Sequence, residues 1–197
     1  MGLDLTDQNA PDDLANAIVC YEHGARKRLA TFWAEQPALL VFLRHFACPG
    51  CWEQVSLLAP RLGKLRASGV RVVLVGVAEP SRILPFRDRV QLEDAHVDLV
   101  VDPSLASHRA AGLARSAWAT YGPRGSIGSV MLYARGRYIP RHDDDGDVTQ
   151  QGGALLVDRA SRVVLHHRAA HPTDYLDLGD VLRRAEHAGE GRHTLRL

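Results

Sequence analysis

The chain has 197 residues, 46% of them hydrophobic, enough to bury one core, and a single domain is expected over residues 1–197. Its 24 basic and 23 acidic residues leave a net charge of +1, which offers no field to attract nucleic acid or an anionic membrane. The longest clean apolar run, Ala38 to Leu43, falls far short of the ~18 residues a membrane span requires.

The N-terminal stretch from Met1 to Asp13 is acidic and polar, so a cytoplasmic protein is expected. Gly2 and Thr6 fit the spacing of a myristoylation signal, but the match is short and Asp4 and Asp7 flank it, so it is discounted. Alanine is abundant and Lys27 and Lys64 are the only lysines, an arginine-rich usage that suggests a GC-rich bacterial genome.

Ile18 to Tyr21, which contains Cys20, is expected as a strand. Leu39 to Leu43 is continuously apolar between Pro37 and Pro49, the pattern of a central strand covered on both faces. After Cys51, Val55, Leu58, Leu62 and Leu65 recur at helical spacing up to Ser68, with Gly69 following. Val70 to Val77 reads as a second buried strand, Ser81 to Leu92 as a helix and Val97 to Val101 as a third strand. This alternation implies parallel βαβ units.

Asp102-Pro103 has the form of an N-cap followed by proline at the first helical position, opening a helix that ends near Gly112. Residues 114–152 mix Trp118, Tyr121, Tyr133 and Tyr138 with glycines and an acidic run, and they read as an insertion. Ala154 to Val157 and Val163 to His167, joined by a polar turn, predict a β-hairpin. Leu178, Val181, Leu182 and Ala185 define a closing helix, and residues 188–197 are expected as a tail. The expected class is α/β: a thioredoxin-like fold with a mixed central sheet flanked by helices and an insertion before the C-terminal hairpin.

Cys48-Pro49-Gly50-Cys51 lies where the central strand gives way to a helix. If Pro49 is the first helical residue, Cys48 is the cap and Cys51 sits in the first turn, where free amides and the helix dipole favour thiolate over thiol. Thiols so placed have pKa values of about 3.5–7.5 instead of ~8.5. A thiolate of this kind attacks a disulfide sulfur, or a peroxide oxygen to give a sulfenic acid that the second cysteine resolves. A structural zinc site needs a second Cys-x-x-Cys or paired histidines, and Cys20 stands alone. Neither that reading nor inert apolar filler fits the pair as well as redox chemistry.

The segment Phe42-Leu43-Arg44-His45-Phe46-Ala47-Cys48-Pro49-Gly50-Cys51 resembles the AhpC/TSA-like, peroxiredoxin-like group of the thioredoxin superfamily, which includes prostamide/prostaglandin F synthase and selenoprotein L. The likeness continues through Val101-Asp102-Pro103, Gln151-Gly152-Gly153 and Leu155-Leu156-Val157-Asp158, covering most of residues 18–186. It implies a thioredoxin fold and thiol-dependent reduction of peroxides or endoperoxides, with electrons from a thioredoxin-like donor; the expected activity is an enzyme that cycles Cys48 and Cys51 to reduce hydroperoxides or partner disulfides without a cofactor. A second copy of the chain, as a homodimer, is counted among the candidate partners.

The resemblance leaves the attacking sulfur open. A peroxiredoxin-type Thr-x-x-Cys motif would place it at Cys51, with Cys48 where the threonine belongs, whereas thioredoxins attack with the first cysteine, here Cys48. Arg44 stands where the motif carries proline, and the peroxide-polarising arginine of peroxiredoxins aligns with Gly152, while thioredoxin's cis-proline aligns with Gly153. Arg44, His45 or an arginine of the insertion then becomes the candidate donor to peroxide. Gly152 and Gly153 would allow another backbone close to the thiols, as disulfide exchange requires. The alternative to an enzyme is a redox-sensing or protein-binding module that docks through the aromatic insertion.

Other features carry less. His142 to Asp147 fails the EF-hand pattern and is expected as a solvated acidic loop. His166, His167 and His171 suggest metal ligands, but adjacent strand residues point to opposite faces and no metal is expected. Trp52 is expected either to shield the pair or to pack in the core, and Gly125 to Ser129 to be a flexible loop.

Overall fold

The structure is a computed structural model that describes residues 4–94, 96–137, 142 and 145–190. Gly2, Tyr138, Arg141, Asp143, Asp144 and residues 191–197 of the expected tail lie outside the described residues.

The strands are β1 (Ile18–Cys20), β2 (Arg26–Arg28), β3 (Ala38–Phe42), β4 (Arg71–Gly76), β5 (Val97–Val101), β6 (Gly153–Val157) and β7 (Val163–Arg168). The helices are α1 (Asp12–Asn16), α2 (Pro49–Leu58), α3 (Leu62–Ala67), α4 (Ile83–Arg89), α5 (Ala106–Ala110), α6 (Ala117–Tyr121), α7 (Pro123–Ala134) and α8 (Leu178–Glu190). The strands form one sheet in the order β2-β1-β5-β4-β3-β6-β7. β3, β4 and β5 run parallel, while β6 pairs antiparallel with β3 and β7 with β6. This is the mixed sheet the sequence predicts.

All of β3 is buried, and its alternating side chains serve two cores. Leu39 and Val41 pack with Val55 of α2, Leu65 of α3, Ile83 of α4 and Val181 of α8. Ala38, Leu40 and Phe42 face Leu14 of α1 together with Phe32 and Trp33. No helix among the described residues is long and apolar enough to cross a membrane.

The structure departs from the sequence reading at several points. β2 carries Arg26-Lys27-Arg28, all exposed, and has no apolar signal; it exists because a turn with Gly24 at φ +81° brings it back onto β1. The expected long helix after Cys51 is divided between α2 and α3 by a short 3-10 turn, Ala59–Arg61, because Pro60 has no N–H for the helical ladder. Asp102 does not cap a helix at Pro103. Its carboxylate accepts from the amides of Ser104 (3.0 Å) and Ser107 (2.7 Å), spanning a turn before α5 begins at Ala106.

Gly125 to Ser129, expected as a loop, lies inside α7, which starts with Pro123 at its first position. Residues 188–190, expected as tail, belong to α8. The acidic loop is not fully solvated either: Asp145 is 1% exposed and accepts from Arg82 Nε at 2.9 Å.

Candidate functional site

β3 delivers the chain to the site and the first turn of α2 receives it. Leu43 N–H donates to Val75 O (2.9 Å), extending the parallel pairing beyond β3. The Phe46 ring then anchors the loop, stacked on Phe86 at 4.2 Å and lying against Gly76, where a Cβ would come within 2.3 Å of the ring. Cys48 is the N-cap of α2 and Pro49 its first residue, so Cys51 falls in the first turn with its amide donating to Cys48 O at 3.1 Å. Cys20 lies on β1, separated from β3 by β5 and β4, and does not join the pair.

Arg44 organises the two sulfurs. Its backbone N–H donates to Cys51 Sγ at 3.2 Å and its Nη1 to Cys48 Sγ at 3.3 Å. The rest of the guanidinium is held by the carbonyls of Gln150 (3.0 Å) and Val148 (2.8 Å) and by Thr120 Oγ1 (2.6 Å), all in the segment read as an insertion. Arg44 is 4% exposed, so its charge acts on the sulfurs without the screening of bulk water.

The two thiols titrate as a unit. A hydrogen bond from the Cys51 thiol holds Cys48 well below the ordinary thiol range, and the charges of Arg44 and His45 add to this against the opposing effect of burial. Cys51 is pushed well above that range, first by burial and then by its hydrogen bond to the Cys48 charge. Both directions favour charge on Cys48 over charge on Cys51.

A strap formed by Ala169 to Leu176, between β7 and α8, covers the pair. Ala169 N–H donates to Gly152 O (3.1 Å), Leu176 N–H to Gln54 Oε1 (3.2 Å), and a Cβ on Gly50 would lie 2.1 Å from Pro172 O. Beneath the strap is a cavity of about 30 Å³ whose walls include Arg44, Cys51, Gln54, His171 and Tyr175. Cys51 reaches it with 5% exposure, whereas Cys48 is fully buried and not among the lining residues.

Of the residues singled out from the sequence, Cys48, Cys51 and Arg44 converge directly, and His45 is buried beside them. Gly152 and Gly153 also line the cavity, but the close approach they permit is made within the chain. A Cβ on Gly152 would meet Phe42 O at 2.7 Å, and one on Gly153 would meet His167 O at 2.5 Å. His166 and His167 do point apart: His166 Nδ1 accepts from Leu5 N–H (2.9 Å), while His167 lines the cavity. Trp52 is half-buried with the Arg137 guanidinium 4.9 Å from its ring centre. Gln54 and Tyr175 were missed. Gln54 could have been found one helical turn after Cys51, whereas nothing local ties Tyr175 to the pair.

The family model described as "AhpC/TSA antioxidant enzyme" matches residues 57–171, a stretch that begins beyond Cys51 and takes in β4 to β7. The chain belongs to this AhpC/TSA family. It is accordingly an oxidoreductase of the thiol-peroxidase type. Among curated relatives, human peroxiredoxin-like 2C is 29% identical over 179 residues, covering 86% of this chain and 77% of that protein. Prostamide/prostaglandin F synthase of Salmo salar is 28% identical over 165 residues, covering 80% and 78%. Solved structures of AhpC/TSA-like shape include a thiol peroxidase from Chromobacterium violaceum (TM-score 0.60, 17% identity, 96% of this chain and 90% of that one). Peroxiredoxin 6 of Arenicola marina aligns with TM-score 0.66 at 10% identity over 94% and 73%. These last two likenesses establish the thioredoxin-like fold.

Proposed function

We propose that this AhpC/TSA chain reduces hydroperoxides at the Cys48–Cys51 pair, with Cys51 as the attacking sulfur and Cys48 as the base that first takes its proton and then closes the disulfide. The observation that carries the assignment is the division of labour within the pair: the buried Arg44 guanidinium donates to Cys48 Sγ at 3.3 Å and favours charge there, while the sulfur that lines the cavity is Cys51. Cys51 attacks the terminal oxygen of R–O–O–H as its proton moves to the Cys48 thiolate. The O–O bond breaks, Cys51 becomes a sulfenic acid, and the leaving RO⁻ recovers the proton from Cys48 as ROH. The renewed Cys48 thiolate then attacks the sulfenic sulfur, giving the Cys48–Cys51 disulfide and hydroxide. A thioredoxin-like dithiol in the cytoplasm supplies the two electrons that restore the pair. Arg44 and His45 keep Cys48 charged between these steps.

Intact-mass analysis after one equivalent of hydroperoxide tests the assignment. Cys48→Ser should accumulate a sulfenic acid at Cys51, and Cys51→Ser should fail to react. The reverse pattern would make Cys48 the attacking residue.

One observation favours the second reading, a redox-sensing or protein-binding module. α6 and α7 expose Trp118, Tyr121, Ile127, Val130 and Met131, an apolar face suited to a protein partner or to a second copy of the chain. Sustained consumption of hydroperoxide with thioredoxin as reductant refutes a purely sensing role.

A further inference from the structure

Two buried hydrogen-bond donors beside Cys51 have no role in the chemistry described so far. Gln54 follows Cys51 by three residues on α2, and its Oε1 is engaged by Leu176 N–H (3.2 Å). That anchor fixes the amide plane, yet Nε2 is buried without a hydrogen-bond partner among the described residues. Tyr175, the residue before Leu176, has its Oη in the same condition. Both residues line the cavity that Cys51 lines. A buried polar group left unsatisfied is costly, so two such atoms on residues that wall one small cavity with a reactive sulfur mark a place where a polar ligand restores the balance.

We infer that Gln54 and Tyr175 form the cradle that orients a hydrogen-peroxide-sized substrate against Cys51. The inference rests on the hydroperoxide reading and deepens it by naming the substrate class and the groups that bind it. As the O–O bond breaks, the Gln54 N–H and the Tyr175 O–H stabilise the negative charge growing on the leaving oxygen, which then takes its proton from Cys48. Glycine at position 152 provides no side chain for this task. Burial, with the charges of Glu53 and the cysteines, raises the Tyr175 phenol, so it stays a donor throughout the physiological range. The cavity of about 30 Å³ holds on the order of two water-sized groups, enough for the two oxygens of hydrogen peroxide. The alkyl body of an organic hydroperoxide exceeds that volume and would have to extend out of the cavity mouth, past the strap.

The test compares second-order rate constants for oxidation of reduced wild type, Tyr175→Phe and Gln54→Met by hydrogen peroxide and by cumene hydroperoxide, alongside alkylation by iodoacetamide. Alkylation reports thiol charge and access but needs no help for a leaving oxygen. Wild type should prefer hydrogen peroxide. Tyr175→Phe should slow its reaction with hydrogen peroxide by roughly 10²-fold with alkylation unchanged, and Gln54→Met should act in the same direction. Variants that react with hydrogen peroxide like wild type, or that lose alkylation in the same proportion, overturn the cradle and leave the hydroperoxide reading standing. Equal rates for the two peroxides overturn the size limit. A wild type inert to both defeats the hydroperoxide reading and the cradle with it.

Discussion

Replacing Arg44 by methionine keeps an unbranched stem of similar reach and removes the guanidinium, so it isolates what the charge contributes. Val148 O retains the Thr120 hydroxyl at 3.1 Å, whereas Gln150 O gives up a 3.0 Å bond to Arg44 Nε in a buried setting. Removing one member of a buried ion pair costs about 3–5 kcal/mol, a figure that already contains the orphaned carbonyl. Reduced Arg44→Met should therefore lose about that much stability in urea unfolding near neutral pH. The Cys48 titration, followed by ultraviolet thiolate absorbance, should move upward but not return fully, because the Cys51 hydrogen bond, its largest support, remains.

The pH dependence has a definite sign. A thiol lowered in the folded state contributes stability that is present above its unfolded pKa of ~8.5 and is lost as pH falls through the folded value. The variant should show a flatter profile across that window. A midpoint that stays put or falls, with stability within about 1 kcal/mol of wild type, would refute the role given to Arg44.

Gly50→Ala places a Cβ 2.1 Å from Pro172 O, and because the obstacle is backbone the strap must shift. The expected cost is about 1–3 kcal/mol, with faster iodoacetamide alkylation of the pair; unchanged alkylation would show that the strap does not limit access. His108 is buried, its Nε2 donating to Leu43 O at 3.0 Å, and burial lowers its pKa to about 4. The unfolded chain takes up this proton near ~6.5, so roughly 3 kcal/mol of stability should be lost on acidification from that pH to the folded value. Denaturant unfolding at neutral and acid pH checks this, and His108→Gln should remove that part of the slope.

The elements legible in the sequence are those buried most fully. The apolar pattern gives β3 to within a residue, because a strand covered on both faces announces itself as an unbroken apolar run, and it gives β5 at its observed bounds although Asp98 interrupts the run. β2 and α7 were missed for the opposite reason. β2 lies at the sheet edge with every residue exposed, and α7 buries mainly glycine and one leucine, Gly125 and Leu132, while turning Ile127, Val130 and Met131 to solvent, so neither writes a clear apolar period into the sequence. The cysteine pair was legible from spacing and from the proline between its members. The strap was not, since Pro172 and Tyr175 meet the pair only through the return of β7 along the sheet.

The hydrogen bonds that hold Arg44 also set the direction in which electrons move most easily. In the proposed cycle, oxidation of the pair removes the Cys48 charge but leaves the guanidinium buried and fastened to Thr120, Val148 and Gln150. The dithiol form therefore enjoys an electrostatic advantage that the disulfide lacks, which makes the disulfide a ready acceptor from an external dithiol. On the proposed cycle, discharge by peroxide loads a spring that recovery of the thiols releases.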